Sequence, residues 1–230
     1  MKKYQFDETK IIKIIKEKDN YIIYSYKEDD RYVFIKRFKN LEDDILKNKE
    51  RKLLILNQTD VLNDNEKPID LYYDNDEFIA YSMFIDIRKS LDDKSITTNK
   101  MKLDLLKKLR ERIEELNSKG IYIGDFNVEN FGIRSNGSIK LRNVDDYEVN
   151  GLPMDVDNDR IKEYKKHCLK IDNIDNYLFN YFTLDYLGRK NIPRKLDTEE
   201  NRKLLYDLEN IDDEYIRRYF IDSQKKGLFH

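Results

Sequence analysis

Asp125 and Asn130 stand five residues apart in the run Gly120-Ile121-Tyr122-Ile123-Gly124-Asp125-Phe126-Asn127-Val128-Glu129-Asn130. A carboxylate can orient an attacking hydroxyl, and a short amide offers a neutral oxygen ligand to a hard cation. Phosphoryl transfer needs both groups close together. In a chain with 46 Asp and Glu the spacing also arises by chance, so its weight depends on its surroundings. From Asn99 to Asn117, apolar residues at 101, 103, 105, 106, 109, 113 and 116 recur mostly at three- and four-residue steps. That period predicts a helix with one buried stripe. Ser118-Lys119-Gly120 ends it, with Gly120 suited to the left-handed position after a helix. Beyond the loop, Phe131, Ile133, Ile139 and Leu141 alternate with polar neighbours on either side of Asn136-Gly137. Two short strands joined by a tight type I′ turn are expected there.

Upstream, residues 11–15, 20–26 and 31–38 read as three strands separated by the polar turns Glu17-Lys18-Asp19 and Lys27-Glu28-Asp29-Asp30. Residues 41–56 read as a helix with Leu46, Leu53 and Leu54 on one face, and 69–73 with 78–83 as a hairpin across Asp74-Asn75-Asp76-Glu77. Within Val33-Phe34-Ile35-Lys36, alternation places Phe34 and Lys36 on one face, so a lysine points where a core side chain is expected. In the helix, Glu50 lies four residues after Leu46 and three before Leu53, within the apolar stripe, whereas Glu42 sits in the first turn where the helix dipole already favours it. Downstream, Asp175 opens an apolar run to Leu187, and 197–209 and 212–221 read as one or two closing helices, with Asp197 as a cap.

Helix, loop, hairpin and acidic cluster in this order resemble the catalytic core of the protein-kinase-like superfamily, across about residues 11 to 187 and most closely at 99–146. The resemblance implies an α+β, two-lobed protein-kinase-like fold with a ligand cleft between the lobes. The N-lobe, 1–85, would be an antiparallel sheet plus one helix; the C-lobe, 86–230, would be mainly helical. The chain would cross between them near Met83 to Asp86, with Met83 against the nucleotide. By the same resemblance Lys36 holds the α- and β-phosphates of ATP, Glu50 pairs with Lys36, Asp125 is the catalytic base, and Asn130 binds Mg²⁺ or Mn²⁺. An early aspartate in the central helix, here Asp175, braces the catalytic loop, and Gly151 to Asp172 stands as a short activation segment.

Two positions depart from that pattern. Asn143 occupies the place of the main metal-binding aspartate; it and Asp145, or failing that Asp146, are the remaining metal candidates. The turn Lys16-Glu17-Lys18-Asp19-Asn20 has no glycine where kinases cover the phosphates with a glycine-rich loop, which leaves Lys16 or Lys18 to reach in. Gly124 stands where regulated protein kinases carry arginine, and the Gly-Asp pair is more like the aminoglycoside and choline phosphotransferases. Two functions follow as expectations: ATP-dependent transfer to a hydroxyl acceptor, or a pseudokinase that binds or assembles partners without chemistry.

Composition narrows the partners. Net charge is −2 with 39% charged residues, and no basic block stands out, so nucleic acid is not the expected partner. No apolar run approaches the roughly eighteen residues of a membrane span and no signal-peptide pattern is evident. A single cysteine, Cys168, argues for a reducing cytoplasm, and the Lys, Ile, Asn, Asp and Tyr bias for an AT-rich bacterial genome or a phage in its host's cytoplasm. His167 and Cys168 have no further histidine or cysteine nearby to complete a zinc site or a nucleophilic pair.

Overall fold

Period-two alternation near the start of the chain and period-3.6 patterning later give a mixed α+β protein. The structure is a computed structural model that describes residues 1–28, 31–84, 90–96, 98–134, 136–155, 158–167, 174–187 and 198–199. The expected helices 197–209 and 212–221, Asp197, Cys168 and part of the 151–172 segment lie outside the described residues. The first elements are β1 (Lys3–Gln5), β2 (Ile11–Glu17), β3 (Tyr21–Glu28), β4 (Arg31–Phe38) and α1 (Asp43–Gln58). They are followed by β5 (Leu71–Asp74), β6 (Glu77–Met83), α2 (Asn99–Asn117), β7 (Ile121–Tyr122) and β8 (Phe131–Ile133). The last are β9 (Ile139–Leu141), β10 (Glu148–Val149), α3 (Asp159–Lys166) and α4 (Ile174–Tyr186). Two units form: Met1–Ile87 with Asn143–Asp155, and Arg88–Arg142 with Val156–His230.

In the first unit six strands form one sheet in the order β1-β5-β6-β4-β3-β2. Every pairing is antiparallel except β1 with β5. One face carries Phe38, Leu71, Tyr73, Phe78 and Tyr81 against Leu53 of α1; the other buries Tyr26, Val33, Ile35, Tyr72 and Ala80 under Tyr4, Phe6 and Ile11. Each fully buried aliphatic or aromatic side chain here contributes about 1.5–3 kcal/mol of transfer free energy. The three-residue β1 was absent from the sequence reading because Lys-Tyr-Gln is too short to show a period.

The tight type I′ turn expected at Asn136-Gly137 is found between β5 and β6 instead. Between β5 and β6, Asn75 (φ 48°) and Asp76 (φ 68°) are both left-handed, the signature of a two-residue type I′ turn. At Asn136-Gly137, expected to form that turn, only Gly137 among the described residues is left-handed, and its N–H donates to the Arg134 carbonyl at 2.9 Å. Asn136 instead accepts from the Ser138 N–H and hydroxyl through Oδ1, the local side-chain bonding that competes with the tight turn. The β8–β9 hairpin forms all the same, with Phe131 opposite Leu141 and Ile133 opposite Ile139.

In the second unit α2 runs over the expected span, capped by Thr98, whose hydroxyl accepts from the Met101 N–H. Leu105, Leu106, Leu109, Ile113 and Leu116 are buried along it, while Met101 at its start is exposed. Helix α4 is apolar on nearly all sides and almost wholly buried, as expected of a helix at the centre of a unit. Among the described residues no helix is long and apolar enough to cross a membrane.

Candidate functional site

The loop that carries Asp125 is fixed from beneath by α4. Asp175, in the first turn of α4, accepts from the backbone N–H groups of Ile123 (2.8 Å) and Gly124 (3.1 Å). With the Asn117 amide oriented by its hydrogen bonds, its nitrogen also donates to Asp175 and to the Ile121 carbonyl. Phe126 packs against Phe131, Phe179 and Phe182, so the residue after Asp125 is buried in an aromatic cluster. Gly124 has φ 70°, a conformation that costs other L-residues roughly 1–2 kcal/mol. The glycine before the aspartate therefore has a backbone reason: it turns the chain so that its N–H meets Asp175. Asn130 is buried, and its side-chain nitrogen donates to the Asp125 carboxylate at 2.7 Å and to the Asp125 carbonyl at 3.1 Å. This holds Asp125 in one orientation through a neutral amide donor.

The second constellation belongs to the first unit. Lys36, on the α1-facing side of β4, is 1% exposed and donates to both oxygens of Asp145 at 2.9 and 2.8 Å. Its ammonium also lies over the Tyr21 ring, 4.5 Å from the centroid. Asp145 is fully buried in the short 3-10 turn Val144–Asp146 and takes two further donors: the Tyr81 hydroxyl at 2.7 Å and the Lys49 ammonium at 3.2 Å. Lys49 continues to Asp146 at 2.8 Å and Asp155 at 3.0 Å, and Lys52 donates to Asp155 at 2.6 Å and to the Pro153 carbonyl at 2.9 Å. Three lysines thus face three aspartates. Burial alone would push the Asp145 carboxyl up, yet the charges of Lys36 and Lys49, with hydrogen bonds from Lys36 and Tyr81, outweigh it and hold it well below the usual range. Burial would likewise push the Lys49 ammonium down, but three surrounding carboxylates hold it above its ordinary value. Asp146 is raised, first by burial and then by repulsion from Asp145. Burial lowers Lys52 against the pull of Asp155, and burial with the Asp145 charge raises the Tyr81 hydroxyl.

The expected partner of Lys36 needs correcting. Glu50 lies on the flank of α1, where it accepts from the Tyr73 hydroxyl and pairs with the exposed Lys3. The stripe that α1 turns inward is Lys49, Lys52, Leu53 and Leu56, whose three-one-three spacing marks one helix face. Reading the stripe from Leu46 and Leu53 put Glu50 inside, because a lysine was not expected to be the buried residue. The signal was the aspartate triplet of positions 145, 146 and 155, which needs more cations than Lys36 alone supplies. Lys49 and Tyr81 are the site residues the sequence reading missed.

The other expected residues are placed as follows. Asn143 is left-handed, φ 52°, and precedes the turn that aims Asp145 at Lys36. Met83, at the end of β6, pairs with Phe34 on the face of the sheet that also carries Lys36. His167 contacts Glu163 of its own helix turn. As a metal ligand, Asp145 has both oxygens engaged by two lysines and a tyrosine. Asp146 is 30% exposed, and one of its oxygens has only a 3.8 Å contact with Lys36, so it is the carboxylate of the pair with room for a hard cation. Among the described residues no group of three or more His, Cys, Asp or Glu is arranged to hold a metal. Compared with known proteins, the chain matches no family model and no curated protein.

Proposed function

We propose that the chain is an ATP-dependent phosphotransferase of protein-kinase-like type that acts on a hydroxyl acceptor. The observation that carries this reading is the buried pair of Lys36 and Asp145, 109 residues apart, together with Tyr81 and Lys49 on the same carboxylate. In that superfamily the strand lysine pairs with the phosphates and a helix glutamate, while the acidic turn after the hairpin binds the metal. Here Lys36 and that turn meet directly, which is support for a shared site and a departure from the glutamate partner. Support also comes from the Asp125–Asn130 bond and from Asp175 gripping the loop's backbone. On this reading the small lobe is residues 1–85 and the large lobe 86–230, except that Asn143–Asp155, expected with the large lobe, groups with the first unit because Asp145, Asp146 and Asp155 pair with Lys36, Lys49 and Lys52.

The roles divide accordingly. Lys36 neutralises phosphate oxygens of ATP, and Asp125 orients the acceptor hydroxyl and takes its proton. The acceptor oxygen then bonds to the γ-phosphorus as the bond from that phosphorus to the β–γ bridging oxygen breaks, and ADP leaves. Within the first unit Asp146, with Asn143, offers hard-oxygen donors to Mg²⁺ or Mn²⁺, and within the second Asn130 offers another; a bound cation would spread the charge that develops on the transferred group. Gly124 before Asp125 favours a small-molecule hydroxyl over a protein regulated through its activation segment.

A specific observation favours a second reading, the pseudokinase. The carboxylate nearest the expected metal position is saturated by lysines, and Asn143 brings no charge. Melting the protein with and without millimolar ATP and Mg²⁺ or Mn²⁺ separates the two. A ligand at a hundredfold excess over its Kd stabilises by about 2.7 kcal/mol. A metal-dependent shift, with ATP turnover abolished in Asp125→Ala at unchanged melting temperature, is the expected result. No shift with either metal, and no turnover, would overturn the enzyme.

A further inference from the structure

The edge strand β2 reads Ile-Ile-Lys-Ile-Ile-Lys over positions 11–16, a three-residue repeat in an element whose faces alternate every two. In an unbroken strand Lys13 and Lys16 would point to opposite faces. The register of β2 on β3 instead shifts twice, between Ile11 and Lys13 and between Ile14 and Lys16, so each triplet carries one extra residue. Lys13 consequently lies opposite Ser25 and Lys16 opposite Ile23. Ser25 and Ile23 are two apart on β3 and share a face, and Ile23 lies opposite Lys36, which lies opposite Tyr81. The two bulges thus convert a period of three into a common side, and that side is the one of Lys36. Ile11 and Ile14, paired with Tyr26 and Tyr24, go to the other face.

From this register we infer that Lys16, with Lys13 as a more distant second, is a polyphosphate-binding residue that does the work a glycine-rich loop does elsewhere. The inference rests on the phosphotransferase reading and sharpens it. Lys16 and Lys36 stand on one cross-strand row with Ile23 between them, two strand spacings or about 10 Å apart at the backbone. Lys16 is exposed at the outer end of this row, where its ammonium can meet the outer phosphates of a triphosphate whose inner phosphates lie toward Lys36. A lysine needs only to bring its ammonium within hydrogen-bonding distance, whereas a non-glycine turn obstructs the close backbone approach that a glycine loop makes. Lys18, the other lysine of this region, follows the end of β2 and so has no register position in the row.

Lysines and bulges on an edge strand also discourage pairing with another chain, and this explanation makes a different prediction. Binding of Mg²⁺ with ATP, and of tripolyphosphate alone, is measured by titration calorimetry for the wild-type chain, Lys16→Ala, Lys16→Arg and Lys18→Ala. The expected result is at least a tenfold weaker Kd for both probes in Lys16→Ala, recovery to within a few fold in Lys16→Arg, and less than a twofold change in Lys18→Ala. Equal, small changes in Lys16→Ala and Lys18→Ala would overturn the inference while wild-type ATP binding kept the phosphotransferase reading intact. Self-association of Lys16→Ala with both affinities unchanged would overturn it in favour of edge protection. Tripolyphosphate binding that depends on Lys16 without any ATP binding would sustain the lysine row and sink the phosphotransferase reading. A wild-type chain that binds neither probe would remove both.

Discussion

Asp145 and Asp125 are both loop aspartates held in place by their surroundings, but by opposite means. Asp145 is buried among ammonium groups that cancel its charge. Asp125 is oriented by an amide, in a loop whose backbone is fixed by Asp175 and whose next residue is anchored among phenylalanines. The first arrangement secures architecture, since removing one partner of a buried ion pair strands the others. The second secures direction. On the phosphotransferase reading, a carboxylate that accepts a proton is better served by neutral donors than by lysines, which would lower its basicity.

This contrast can be broken most sharply at Asp145. Asp145→Asn strands Lys36 and Lys49 in a buried setting and should cost about 3–5 kcal/mol in chemical denaturation. A loss below about 1 kcal/mol would mean that water or other groups already compensate those lysines. Next comes Asp175→Ala, which removes the acceptor of two backbone N–H groups, each worth about 1–3 kcal/mol when left unpaired. Unlike the change at Asp145, it should also abolish turnover while leaving nucleotide binding in place. Gly124→Ala follows, at about 1–2 kcal/mol for the left-handed backbone, and it too should affect turnover more than binding. The smallest effect belongs to Glu50→Gln, expected below about 1 kcal/mol by denaturation and without effect on ATP affinity, because its cationic partner, Lys3, is exposed.

Acidity sharpens the comparison further. The folded state depresses the Asp145 carboxyl, so its contribution is present above the unfolded value near 4 and is lost as pH falls below it. The folded state raises Lys49, so that contribution is present below the unfolded value near 10.4 and is lost as pH rises through the folded one. Asp146 acts in the opposite sense, its raised carboxyl costing stability as pH climbs through its folded value. Denaturation curves across pH should therefore show acid-side and alkaline losses that are both shallower in Asp145→Asn. Unchanged limbs would assign the pH dependence to groups elsewhere.

Alternation and helix period gave up most of the elements, because the strands are rich in β-branched and aromatic residues between polar turns and helix α2 carries one buried stripe. Asp125 and Asn130 were singled out by their spacing and Asp175 by the resemblance, and the structure joins Asn130 to Asp125 and Asp175 to the backbone just before it. What stayed hidden was pairing at long range. That Lys49 and not Glu50 faces inward depends on Asp145 and Asp146, nearly a hundred residues away, and a helical stripe read in isolation favours the apolar interpretation. The bulges of β2 were hidden too, since the repeat Ile-Ile-Lys has the wrong period for a strand until one residue in three is set aside. The turn at Asn136 misled because an asparagine has two ways to satisfy itself, and a neighbouring serine selected the other.

The first unit is discontinuous in sequence, and this bears on how a ribosome must deliver it. When residues 1–87 have been made, Lys36, Lys49 and Lys52 have no Asp145, Asp146 or Asp155 to face. A nascent sheet closing over α1 at that moment would enclose three naked cations, so its interior cannot consolidate until the chain has grown past Asp155. The second unit waits longer still, since the backbone N–H groups of Ile123 and Gly124 have no Asp175 to meet until α4 has been made. The late arrival of one short acidic turn, rather than the early strands, then sets the moment at which the amino-terminal half becomes native.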